Sequence, residues 1–277
     1  MPALPIHTAN RYIQPLREGG SLPAVVDTDG GMFVAKFRGA GQGAKALIAE
    51  LIVGLLAQRL GLPVPQPALV DIAPAFGRAE PDPEIQEILR ASHGINVGAR
   101  YLDGAFNFDP FAAGEYISDD FASELVWFDA FATNPDRTHR NPNILIWQRK
   151  PWLIDHGAAI YAHHAWNTVD RERTRTPFPL IEDHVLLSQA NDLDSADRRL
   201  AGRLSAQLFD DVLAAVPDSL LLDPLIADEF PSADAARARY LEYLSDRLSE
   251  PRLFVPEAVE ARERRLGEPI LRRQARR

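Results

Sequence analysis

Residues 134–143 read Asn-Pro-Asp-Arg-Thr-His-Arg-Asn-Pro-Asn (NPDRTHRNPN), run directly into the apolar ILIW (144–147), and are followed by WLIDHG (152–157). Two prolines stiffen this polar cluster. The segment before it predicts a helix. Ser118 is a good N-cap, Asp119 and Asp120 occupy the first turn where acids favour the helix dipole, and Phe121, Leu125 and Phe128 line one face. Asn134-Pro135 is expected to end that helix, because the residue before a proline is pushed out of the α region. ILIW and Trp152 to Ile154 read as two strands around a turn at Gln148 to Pro151. The helix thus delivers Asp136 into a braced loop, Asn141 lies five residues on, and the hairpin returns Asp155 to the same cleft.

Hard oxygen ligands of this kind suit Mg²⁺, a cation usually shared between one or two carboxylates and substrate phosphates. The remaining carboxylate can accept a proton from a hydroxyl that attacks a phosphoryl group. Gly157 permits a sharp turn away from the metal. Asp and Asn also cap ordinary turns, so Asp136 and Asn141 alone would decide little; adding Asp155 on a strand favours chemistry.

The first quarter supplies the other half of such a site. Leu22 to Asp27 and Met32 to Phe37 are short apolar runs joined by Thr28-Asp29-Gly30-Gly31, a hairpin signature. In FVAKF (33–37) the alternation puts Phe33, Ala35 and Phe37 on one face, and Val34 and Lys36 on the other. Ala44 to Leu60 predicts a helix, stopped by Gly61 and held stopped by Pro63 and Pro65. Glu50 is its only acid. An unpaired buried carboxylate is costly, so Glu50 should meet a cation or a cleft, and Lys36 is the evident partner; a plain surface ion pair is the competing account. Ala68 to Ala73 and Gly94 to Leu102 read as strands, with Gly77 to Glu84 a polar loop and Asp103-Gly104 a connector. The glycine stretches GGSLP (19–23) and GAGQG (39–43) could turn N–H groups toward phosphate. Neither matches a P-loop or a dinucleotide fingerprint.

Further on the pattern is helical, with helices expected at Ser195 to Val216 and Ser232 to Leu248. The 277 residues are 46% hydrophobic and 25% charged, an ordinary globular composition. With 30 Lys+Arg against 39 Asp+Glu, the net charge of −9 disfavours non-specific nucleic-acid binding. The absence of cysteine removes disulfides, thiolate catalysis and Cys-zinc sites. The N-terminus lacks a signal-peptide pattern, and the apolar stretch Leu47 to Leu62 is too short to cross a bilayer, so a cytoplasmic location without membrane contact is expected. His139, His156, His163 and His164 lie near one another, but no H-E-x-x-H motif accompanies them. The arginines from Arg262 to Arg277 read as a solvated, partly frayed end, with a docking peptide for an acidic partner or RNA as the alternative.

FVAKF with Glu50 downstream, NPDRTHRNPNIL and WLIDHG together resemble the HipA-like kinase domain family, a bacterial branch of the protein-kinase-like fold, over roughly Gly19 to Ala159. The DRTHRN loop is also similar to that of phosphatidylinositol 3/4-kinases. The resemblance implies an α+β, two-lobed protein-kinase-like fold, with a small β-rich N-lobe (1–102) and a larger, mainly helical C-lobe (103–277). It implies ATP and Mg²⁺ as cofactors. Lys36 corresponds to the phosphate-gripping lysine and Glu50 to its helix partner, Asp136 to the catalytic aspartate, and Asn141 and Asp155 to the metal ligands, with Asn143 as the fallback for Asn141. Gly20 and Ser21 would contact phosphates, and backbone around Ala99, Tyr101 and Leu102 would recognise adenine. Ser21 is also the counterpart of a loop serine that some relatives autophosphorylate. His156 stands where many kinases carry phenylalanine. The implied activity is protein serine/threonine phosphorylation, with a protein substrate and an operon-encoded partner or antitoxin as expected partners. Two other readings stay open: a nucleotide-binding pseudokinase or interaction module, and a kinase acting on a lipid or small-molecule hydroxyl.

Overall fold

The computed structural model describes residues 3–16, 22–78, 80–110 and 112–267. Its first strand, β1 (Ile6–Pro15), is not foretold by local pattern, since most of its residues are exposed or half-buried. It forms through pairing: antiparallel to β2 (Ala24–Thr28) and parallel to β4 (Pro67–Ile72). β2 turns into β3 (Gly31–Lys36) as expected, with Gly31 at φ 102°. β5 (Gly94–Arg100) lies between β3 and β4, and the five strands close into a barrel in the order β1-β2-β3-β5-β4. Ala24, Val26, Ala35, Phe37, Val70 and Ile72 fill its interior.

Between β3 and β4 runs α1 (Gly43–Leu60). Gly61 ends it in the left-handed region at φ 83°, donating to Ala57 and Gln58 carbonyls. This helix is buried nearly all round, because β4 and β5 pack on one side and C-terminal helices on the other. Each such Leu or Ile contributes about 1.5–3 kcal/mol. α2 (Pro83–Ala91) takes only the last two residues of the expected loop, Pro83 and Glu84: Asp82 caps it through the N–H groups of Glu84 and Ile85, and Pro83 fits its first turn. It covers the barrel mouth with Ile85 and Leu89.

From β6 (Phe106–Asn107) onward the chain is mostly helical. Ser118 caps α3 (Asp119–Ala132) through the Phe121 N–H, as expected. The helix ends before Asn134-Pro135, however, because Thr133 takes the left-handed conformation at φ 51°. β7 (Ile144–Trp147) and β8 (Lys150–Leu153) pair antiparallel. Their turn is only Gln148-Arg149, both at positive φ, so Lys150 and Pro151 belong to the strand rather than the turn. A 3₁₀ stretch, Tyr161–Thr168, leads to the short α4 (Arg171–Thr174).

The single helix expected over 195–216 is two: α5 (Leu193–Ala201) and α6 (Ala206–Leu213), separated at Gly202 with Ser205 as a fresh N-cap. α7 (Asp218–Leu221) follows, then α8 (Ala233–Leu248), capped by Ser232 as expected. α9 (Phe254–Gly267) corrects the frayed end over its own span. Phe254 packs against Trp127 and Phe131, and Arg265 is buried with its guanidinium on the His184 carbonyl. The arginines past 267 lie outside the described residues. One large core joins α1 to α3, α5, α6, α8 and α9. The chain is therefore β-rich in its N-terminal part and helical in its C-terminal part. Among the described residues no helix is long and apolar enough to cross a membrane.

Candidate active site

β3 buries Phe33 and Ala35 in one direction and turns Val34 and Lys36 toward a cleft, as its alternation requires. There the Lys36 ammonium donates to Glu50 Oε2 at 2.7 Å and to Asp155 Oδ1 at 2.7 Å. Glu50 Oε2 also accepts the His156 N–H at 2.6 Å. One carboxylate thus ties α1 to β3 and to the segment after β8. Burial alone would lower the Lys36 pKa, but Glu50 and Asp155 outweigh it and hold the ammonium above its usual range. Burial would raise the Asp155 pKa; Lys36 outweighs it and keeps the carboxylate below its usual range. Asp155 itself sits at φ 55°, a strained setting for a non-glycine residue that turns its side chain toward β3.

Asp136 and its loop are held from both sides. Asp136 Oδ2 accepts the Asn141 amide at 2.7 Å and the Asn143 amide at 3.2 Å, while its N–H donates to Asn134 Oδ1. The Thr138 N–H donates to the carbonyls of Asp136 and Asn141, which closes the loop. Beneath it lies a buried set formed by Arg137, within that motif, and by Asp129 and His184, outside it. Arg137, fully buried, donates to Asp129 Oδ2 at 2.6 Å, to the Asn143 carbonyl and to the Ile154 carbonyl. Its guanidinium also lies 3.4 Å from His156 Nδ1. His184 Nδ1 accepts the Leu186 N–H, so Nε2 carries the proton it donates to Asp129 Oδ2 at 3.0 Å. Burial would raise the Asp129 pKa, yet Arg137 and His184 hold it well below the carboxylate range. Arg137 therefore links the Asp136 loop to the strand that carries Asp155. The available signal was Asp129 on α3, an acid set among Trp127, Phe128, Ala130 and Phe131.

Because arginine only donates, His156 Nδ1 is the acceptor and Nε2 bears the hydrogen. That Nε2 has no partner among the described residues. Burial, chiefly, lowers the His156 pKa to about 4, leaving the ring neutral at pH 7. His156 is thus an uncharged, buried ring.

The cleft has a volume of about 920 Å³. Lys36, Glu50, Asn141, Asn143 and Asp155 line one region of it, and Ala99, Tyr101 and Leu102 another. Asp136 is absent from its wall and reaches it through Asn141 and Asn143. Gly20 and Ser21 lie outside the described residues. GAGQG is not part of the wall: Gly39 donates to Ser92 Oγ, and a Cβ on Gly39 would stand 2.5 Å from the Ala91 Cβ, so this glycine serves close packing on α2. Among the described residues no group of three or more His, Asp or Glu side chains is placed to hold a metal ion. His163 instead packs on Tyr240, with Nδ1 at 3.1 Å from the Tyr240 hydroxyl. Asn141 Oδ1 and the Asp155 carboxylate are hard oxygen donors facing one cleft. Such a pair fits Mg²⁺, which completes its shell with water and phosphate oxygens.

The family model for HipA-like kinases matches residues 12–199. No curated protein matches the chain. Among solved structures, the proinflammatory kinase CtkA from Helicobacter pylori is similar at a TM-score of 0.58 and 12% identity, over 93% of this chain and 98% of that one. At that identity the likeness is one of fold. The family match spans Lys36, Glu50, the Asp136 loop and Asp155, and the chain belongs to the HipA-like kinases, a family of phosphotransferases.

Proposed function

We propose that the chain is an ATP- and Mg²⁺-dependent kinase that phosphorylates serine or threonine hydroxyls of a protein, with residues 1–102 as its N-lobe and 103–277 as its C-lobe. The observation that carries this reading is the single Lys36 ammonium shared by Glu50 and Asp155 at 2.7 Å each. Two carboxylates on one ammonium leave this three-residue cluster a net negative charge, which favours a divalent cation beside it.

In this reading Lys36, steadied by Glu50, grips the α- and β-phosphates. Asn141 Oδ1 and Asp155 hold Mg²⁺, which supplies neutralisation of the phosphate oxygens. Asp136 orients the acceptor hydroxyl and takes its proton. Since both asparagine amides occupy Asp136 Oδ2, its Oδ1 is the atom that receives the proton. The N–H groups of Arg100 and Tyr101 are engaged by the Gln66 and Met32 carbonyls, so adenine would be read by backbone beyond them, at Leu102.

The test uses purified protein, γ-labelled ATP and Mg²⁺ in a cell lysate, beside Asp136→Ala. Labelled protein bands that vanish in the variant support the reading and identify the substrate. Label found only in lipid or small-molecule fractions would replace the acceptor class. The absence of any Asp136-dependent label would favour a pseudokinase.

A further inference from the structure

The first turn of α1 breaks two local rules. Its N-cap, Gln42, makes no side-chain cap hydrogen bond, and no acid lies in the first turn. A lysine, Lys45, stands there instead, although cations are disfavoured at a helix N-terminus. Lys45 is also buried, at 9% exposure. Its ammonium donates to the His163 carbonyl at 2.7 Å and to Glu229 Oε1 at 2.5 Å. His163 lies in the 3₁₀ stretch that follows the Asp155 segment, and Glu229 lies in the loop between α7 and α8. A second, longer contact runs from the other side of residues 39–43 to the same loop, with Arg38 Nε 3.9 Å from Asp223 Oδ2. The C-terminal part therefore holds the start of α1 by tertiary contacts where a local cap is missing. Local rules broken in this way are expected at functional sites.

Glu50 lies five residues beyond Lys45 on the same helix, and its carboxylate receives both Lys36 and the His156 N–H. A shift of α1 along or about its axis would separate Glu50 from Lys36. We propose that Lys45 is a positioning residue for nucleotide binding and phosphoryl transfer. By fixing the first turn of α1 to the His163 carbonyl and to Glu229, it sets Glu50 against Lys36. This rests on the kinase reading given above.

The test is a double-mutant cycle. Lys45→Met, Lys45→Arg and Glu229→Gln are made in the wild-type chain and in Glu50→Gln. Each is read by Tm, by the Kd for a non-hydrolysable Mg-ATP analogue, and by kcat/KM for ATP. Lys45→Met is expected to weaken nucleotide binding and kcat/KM by roughly 10-fold or more and Glu229→Gln by roughly 3-fold, with Lys45→Arg restoring most of the loss. In the Glu50→Gln background the same changes should add almost nothing to Kd or kcat/KM, while their effect on Tm persists. Additive losses in both backgrounds would overturn the proposal and leave Lys45 a packing residue. If Lys45→Met fails to fold, Glu229→Gln at the half-exposed end of the contact decides in the same way. Wild-type protein that binds the analogue but transfers no phosphoryl group would overturn the kinase reading alone, because the Kd cycle still reports the coupling. Wild-type protein that binds no nucleotide would overturn both.

Discussion

Lys36 and Asp155 are separated by 119 residues of sequence, yet the ammonium of one and a carboxylate oxygen of the other stand 2.7 Å apart. Glu50 meets the same ammonium at the same distance. All three side chains are at most 29% exposed, so their interaction is weakly screened by solvent and salt. Strand β3, helix α1 and the segment after β8 converge on this one nitrogen.

Glu50→Gln keeps the shape of the side chain and removes its charge. A hydrogen bond to a charged group contributes about 1.5–3 kcal/mol. The expected result is a loss of roughly 10- to 100-fold in kcat/KM for ATP with a small change in Tm. Steady-state kinetics at varied ATP check it; unchanged kcat/KM would remove Glu50 from the site.

Asp155→Asn removes the charge proposed to hold Mg²⁺ while keeping size. The loss should fall on rate far more than on affinity: kcat lower by about 10²–10³-fold, nucleotide Kd nearly unchanged, and a higher Mg²⁺ requirement. Turnover measured across a Mg²⁺ titration tests this, and near wild-type turnover would show the metal assignment to be wrong.

Acid should destabilise the fold well before its carboxylates titrate. Burial lowers the pKa of His163 and of His184 below the usual 6.5. As pH falls through 6.5 the unfolded chain binds protons that the folded chain refuses, so stability is lost in the acid direction. The low-pKa carboxylates Asp129 and Asp155 add their own loss only below about 3.8. Tm is therefore expected to be higher at pH 7.5 than at pH 5.5. A flat or rising profile on acidification would contradict the burial of these rings.

Asp129 and Arg137 form a fully buried ion pair. Removing one partner strands the other, at a cost of about 3–5 kcal/mol. Asp129→Asn should lower Tm by roughly 10 °C, and surviving protein should bind nucleotide less well, because Arg137 also holds the Asn143 and Ile154 carbonyls. Thermal unfolding followed by nucleotide titration measures both; wild-type Tm would show that the pair is dispensable.

What was legible in the sequence depended on how local its cause was. The β2–β3 turn, α1 with Gly61, and α3 with Ser118 are written in neighbouring residues, and so is the alternation that turns Lys36 into the cleft. β1 is not, because it exists through pairing with β4, and Ile6 meets Leu69 far along the chain. α2 carried its signal in Asp82-Pro83, but the prolines on either side of Asp82 drew the reading toward a loop. The break between α5 and α6 is marked by Gly202 and Ser205, which an apolar period running past them concealed. In the site, Asp136, Asn141 and Asp155 share recognisable spacing. Asp129 and His184 come from distant segments and meet Arg137 only through packing, so no motif could have named them.

The measurement that bears most directly on the account is transfer of the γ-phosphoryl group by purified wild-type protein and by Asp136→Ala, with nucleotide affinity recorded for both. The account predicts Mg²⁺-dependent transfer by the wild type, and an Asp136→Ala variant that binds nucleotide with similar affinity but transfers at least about 10²-fold more slowly. Transfer at the wild-type rate by Asp136→Ala, or a wild type that binds nucleotide and transfers nothing, would contradict it.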